Sequence, residues 1–93
     1  MEFVSDPQCR LYVGNLSFCV TEEDVKDMFN TVGFVKDVYL PRVPKSRQHK
    51  GYGFVEMSSA EDALNAIAHL HKVPDVGGRT MLVRFADVRK HKE

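Results

Sequence analysis

The chain has 93 residues, 43% of them hydrophobic and 28% charged, with a formal net charge of zero, which suits one globular domain with one core. No apolar run approaches a membrane span and no secretory signal opens the chain. The neutral sum argues against a partner held by net charge, so what matters is where the charges sit.

Residues 1–9 show no periodicity and contain Pro7, and read as a flexible arm. Cys9 and Cys19 lie ten residues apart without a CxxC pattern, as free thiols of a reducing compartment would. A first strand is expected over Arg10–Gly14, with Leu11 and Val13 toward the core and Arg10 and Tyr12 on the other face. In the connection that follows, Leu16, Phe18 and Val20 are placed to cover the core edge. Thr21-Glu22-Glu23-Asp24 is an N-cap with acid in the first turn. Val25, Met28, Phe29 and Val32 recur at helical spacing, predicting a helix over 21–30 that Gly33 ends in a left-handed conformation. Residues 34–40 are rich in β-branched and aromatic side chains and read as a second strand, although Val35, Val38 and Leu40 do not alternate.

Residues 41–49 carry two prolines and the bases Arg42, Lys45 and Arg47, and read as a loop. Lys50-Gly51-Tyr52-Gly53-Phe54-Val55-Glu56-Met57 follows. As a strand it buries Val55 and Met57 and turns Lys50, Tyr52, Phe54 and Glu56 the other way. A small domain gains nothing in folding by presenting two rings to water. Rings beside a lysine suit the π-faces and phosphates of single-stranded nucleic acid. Ser59-Ala60-Glu61-Asp62 then caps a second helix over 59–69, with Ala63, Ala66, Ile67 and Leu70 as a narrow stripe. Pro74 and Gly77-Gly78 mark a loop over 71–79. The last strand, 80–86, turns Met81, Val83 and Phe85 inward and Leu82, Arg84 and Ala86 outward. Residues 88–93 read as a flexible basic tail.

The octet fits the RNP1 pattern of the RNA recognition motif at seven of eight positions, with Met57 in place of the final aromatic. Leu11-Tyr12-Val13-Gly14-Asn15-Leu16 resembles the partner motif, RNP2. Residues 10–87 therefore resemble an RNA recognition motif domain. The resemblance implies an α+β, ferredoxin-like β-α-β-β-α-β fold, with two helices on one face of a four-stranded antiparallel sheet. It implies RNP2 and RNP1 on the central strands, Tyr12 beside Tyr52 and Phe54, and bases stacked on all three rings. It also implies a bulge in the second strand, with Val35, Val38 and Leu40 in the core and Asp37 and Tyr39 on the ligand side. In this fold Gly51 and Gly53 are the small residues that let helices approach the sheet.

On this reading single-stranded RNA is the partner. Lys50, Lys45, Arg47 and Arg84 supply phosphate or base-edge contacts, while Arg10, Tyr39, Leu82, Ala86 and Arg89 complete the face. A narrower resemblance, carried by Leu82-Val83-Arg84-Phe85-Ala86-Asp87, is to Bruno-like and CELF RNA-binding proteins, which suggests mRNA processing or regulation in the nucleus or cytoplasm by a monomer. No cofactor is implied.

Other chemistry has little support. His49, His69, His71 and His91 read as solvated, and no spacing suggests a metal site. Gly51-Tyr52-Gly53 lacks the third glycine and the following helix of a dinucleotide loop. Ser17 or Cys19 with a histidine makes no defined catalytic pair. The rival reading is a protein-interaction module that uses the acidic helices, which hold Glu22, Glu23, Asp24, Asp27, Glu61 and Asp62 against Lys26.

Overall fold

The structure, a computed structural model, describes residues 9–45 and 48–86. Its elements are β1 (Arg10–Gly14), α1 (Glu22–Asn30), β2 (Val35–Tyr39), β3 (Gly53–Met57), α2 (Ala60–Leu70) and β4 (Leu82–Phe85). The strands pair antiparallel in the order β2-β3-β1-β4. This is the expected α+β, ferredoxin-like arrangement. The expected arm and tail lie outside the described residues, except for Cys9, which is buried; neither Cys9 nor the exposed Cys19 is in a disulfide.

One core holds the layers together. Leu11 and Val13 of β1 and Val55 and Met57 of β3 meet Val25 and Phe29 of α1 and Ala63 and Ala66 of α2. None of these eight is more than 1% exposed. The alanines let α2 lie close to the sheet. Both helices begin as their sequences require. The Thr21 hydroxyl accepts from the Asp24 N–H while the Asp24 carboxylate accepts from the Thr21 N–H, each at 3.1 Å. Ser59 accepts from the Asp62 N–H in the same way. The Asp62 carboxylate instead turns outward to the N–H of Phe34 and the hydroxyl of Ser58, tying α2 to the start of β2.

Several expectations change. Gly33 is not left-handed, and the helix ends through Thr31, whose N–H and hydroxyl both reach the Met28 carbonyl. Glycine suits position 33 because a Cβ there would come within 2.7 Å of the Asp62 side chain. The octet is not a strand throughout. Gly51 has φ +89°, so β3 starts only at Gly53 and Lys50 falls before the pleat. Gly53 makes room for the next strand rather than for helices: a Cβ there would strike the Leu40 side chain and come within 2.6 Å of the Tyr39 carbonyl oxygen.

Phe85 keeps the inward parity, opposite Leu11, yet is 40% exposed at the end of an edge strand. Parity sets the face of a sheet, not the depth of cover over it. Ala86, expected outward, is buried, and its N–H donates to the Arg10 carbonyl at 2.9 Å. Phe18 stands 57% exposed instead of covering the core edge, which Leu16 and Val20 do. Its ring lies 5.9 Å from that of His49, which is 1% exposed rather than solvated and accepts the Gly51 N–H at Nδ1. His71 also has a partner, accepting the Val83 N–H at 3.0 Å. His91 lies outside the described residues.

The 71–79 connection is more ordered than a loop rich in Pro and Gly suggests. Pro74 bridges Thr80, and the buried Asp75 carboxylate accepts from the N–H and hydroxyl of Ser17 and the N–H groups of Gly77 and Arg79. Burial pushes the Asp75 carboxyl upward, but the hydrogen bonds from Ser17, Gly77 and Arg79 outweigh it and hold the pKa below 3.8. The knot joins the loop after β1 to the loop before β4.

Two stability predictions follow from these positions. Phe29→Ala, at a site with no exposure, should cost about 3–5 kcal/mol in urea unfolding, and Phe85→Ala clearly less. Equal losses would mean that Phe85 belongs to the core. For Asp75→Asn the sign is set by a depressed folded pKa. The carboxylate's contribution is complete above the ordinary value and is lost as pH falls through the folded one. The variant should therefore be about 1–3 kcal/mol less stable than the parent at pH 7, with the gap closing in acid below the ordinary carboxylate range. A gap that stays constant down to pH 2 would contradict the assignment.

Candidate nucleic-acid interface

Opposite the helices, strand parity leaves one sheet face open. Tyr39 of β2 pairs with Phe54 of β3, Phe54 with Tyr12 of β1, and Tyr12 with Arg84 of β4. These four side chains make one row across all four strands. The bulge between Val35 and Asp37 sets that row: Lys36 is the extra residue, so Asp37 and Tyr39 share a face and Val35 and Leu40 go into the core. Val38 is half-buried against the core cluster.

Tyr52, just before β3, brings a third ring to the centre. The Tyr12 and Tyr52 rings stack with centroids 5.9 Å apart and planes at 28°. Phe54 stands edge-on to both, 6.0 Å from each. These are favoured aromatic geometries, and they leave Tyr12, Tyr52 and Phe54 half-buried against one another. The Arg84 guanidinium carbon lies 4.8 Å from the Tyr12 centroid, a cation–π contact on the same row. Gly14 is on the face of Tyr12, two residues on, and a Cβ there would come within 2.7 Å of the tyrosine ring. The missing side chain is what lets the ring lie flat along β1. Tyr39 is 61% exposed at the margin, and Leu82, opposite Gly14, is exposed too.

The expected cations divide into groups. Arg84 joins the rings. Lys50, three residues before β3, and Lys45, earlier in the same loop, are both exposed. Arg42, part of the same basic stretch, is turned to the other layer, where one guanidinium nitrogen lies 2.6 Å from both carboxylate oxygens of Glu22 on α1. Arg47 and Arg89 lie outside the described residues. Ala86 cannot offer its N–H to a ligand while Arg10 holds it. Sequence reasoning named Arg84 but not its ring partner, and missed Gly14. The signal for Gly14 was available, since i and i+2 share a face, whereas the Arg84–Tyr12 contact depends on the β1–β4 register, which only the fold supplies.

Similarity to known proteins agrees with this geometry. The chain is 35% identical over 89 residues to the chloroplastic RNA-binding protein CP33 of Arabidopsis thaliana, covering 96% of this chain and 27% of that protein. It is 38% identical over 78 residues to the serine/arginine-rich SC35-like splicing factor SCL28 of the same plant, covering 83% of this chain and 32% of the relative. The chain thus spans a third or less of either protein. A solved structure described as an SXL-lethal protein/RNA complex superimposes with a TM-score of 0.81 at 28% identity, over 92% of this chain and 52% of that one. The family pattern itself matches residues 11–82, from the core face of β1 through to the first residue of β4, so this chain belongs to the RNA recognition motif family.

Proposed function

We propose that the domain binds single-stranded RNA on its open sheet face and serves mRNA processing or regulation. The observation that carries this reading is the three-ring cluster of Tyr12, Tyr52 and Phe54, with Arg84 against Tyr12. Every base has a π-face, so mutually packed rings make a platform that tolerates sequence. Because the rings already support one another, less ordering is left to be done on binding. Tyr39 and Leu82 extend the platform toward the sheet edges. Lys50 and Lys45, with Arg47 from the same loop, contact phosphates, and Arg10 lies along the strand from Tyr12. Arg89 adds contacts beyond β4.

The role is binding by a monomer inside the cell, where a reducing compartment keeps Cys9 and Cys19 as thiols. A protein docking on the helices is the weaker reading. Of the large hydrophobic side chains exposed among the described residues, Leu64 alone lies in a helix. Part of the acidic surface is also engaged, since Glu22 holds Arg42.

Two binding experiments test the proposal. In anisotropy titrations with a uridine-rich oligomer, Phe54→Ala should weaken binding about ten- to hundred-fold, while its thermal melt falls less than that of Phe29→Ala. Parental affinity in a folded Phe54→Ala variant would remove the ring from the site. Phosphate contacts release counterions, so Lys45→Ala and Lys50→Ala should each flatten the salt dependence by about 0.7 of a log unit per log of salt. Arg42→Ala, already committed to Glu22, should leave the slope as it was. A slope unmoved by either lysine would mean that the loop is only solvated.

A further inference from the structure

We infer that the open face carries a guanine-reading subsite beside Phe54; the inference rests on the RNA-binding reading above. The register sets Asp37 of β2 and Arg10 of β1 on either side of Glu56 of β3. These three side chains form a second row, two residues along the strands from the aromatic one. Where the rows meet, the surface dips into a depression of ≈ 180 Å³ lined by Arg10, Asp37, Tyr39, Phe54, Val55 and Glu56. An aromatic wall and a pair of carboxylates thus share one concavity on the proposed binding face.

The carboxylates are acceptors with capacity to spare. Asp37 uses Oδ1 for the Val38 N–H at 2.9 Å, and Oδ2 accepts no hydrogen bond among the described residues. Glu56 has Lys36 Nζ 3.9 Å from Oε2, a long contact whose lysine side chain is 63% exposed. Ionised carboxylates only accept. Guanine alone among the four bases has two neighbouring donors, N1–H and the N2 amino group, on its pairing edge. Adenine and cytosine place a ring acceptor beside their amino group, and uracil has one N–H between two carbonyls. Paired acceptors are therefore met in full by guanine and set lone pair against lone pair in the other three. Guanine's O6 and N7 are in turn acceptors of the kind an arginine matches, and Arg10 is the cation of the depression.

The test uses the whole chain and uridine hexamers in which one guanosine is walked through every position. Adenosine, cytidine and inosine then replace it at the best position. Inosine keeps N1–H and O6 and lacks only the N2 amino group. Guanosine at one position should bind about tenfold more tightly than the all-uridine hexamer, with inosine in between. Glu56→Gln and Asp37→Asn should each cut that advantage to about twofold or less, because an amide places a donor where guanine needs an acceptor; thermal melts check that both remain folded. Binding that depends on Phe54 but favours guanosine at no position would overturn the subsite and leave the RNA-binding reading standing. A guanosine preference that survives both substitutions would also overturn it. No binding to any hexamer would remove the reading and the subsite together.

Discussion

The antiparallel pairing of β1 with β3 is the constraint on which the rest depends. It places Leu11 opposite Val55 and Tyr12 opposite Phe54. With a side-chain period of two, one register sends an apolar set into the core and an aromatic set to the open face. A slip of one residue would set Tyr12 against Val55 and Val13 against Phe54, mixing rings with core residues so that neither face is wholly apolar. Folding energy and ligand face are thus fixed by the same alignment. The core residues select the register, and the rings take the position that remains.

Other features adapt neighbouring parts to that central pair. The bulge at Lys36 re-phases β2 so that Tyr39 reaches the aromatic row. Gly53 lets β2 come close to β3, and Gly14 leaves room for the Tyr12 ring. Gly51, at φ +89°, turns the chain so that Tyr52 enters the cluster from outside the strand, and its carbonyl accepts the Leu16 N–H at 2.8 Å. Distant loops are locked by the Ser17–Asp75 knot. These are small local requirements, and each is met by one residue type.

Most of this was legible in the sequence wherever the signal is periodic or local. Alternation in β1 and β3, the caps at Thr21 and Ser59, and the helical stripes all depend on near neighbours. The bulge was legible only through the family resemblance, because apolar positions that fail to alternate do not by themselves say where the extra residue sits. Illegible were the features set by long-range packing. Asp75 and Ser17 are 58 residues apart, and nothing local in a Pro-Asp turn announces a buried carboxylate. His49 is polar by composition but is covered by Phe18, so that both residues were misplaced by one unseen contact. Phe85 had the right parity, yet depth depends on what lies above it. Arg42 belonged to a basic stretch, and only the fold brings Glu22 to it.

The central claim is that RNA is held by the rings that the β1–β3 register leaves on the open face. Chemical-shift mapping of the isotopically labelled chain during titration with a uridine-rich hexamer tests it most directly. The account predicts that the ring protons of Tyr12, Tyr52 and Phe54 and the side-chain resonances of Arg84 move together along one saturating curve. Signals of the exposed helix residues Glu23, Asp27 and Glu61 should stay in place. Saturating shifts confined to α1 and α2, with the three rings unmoved, would contradict it.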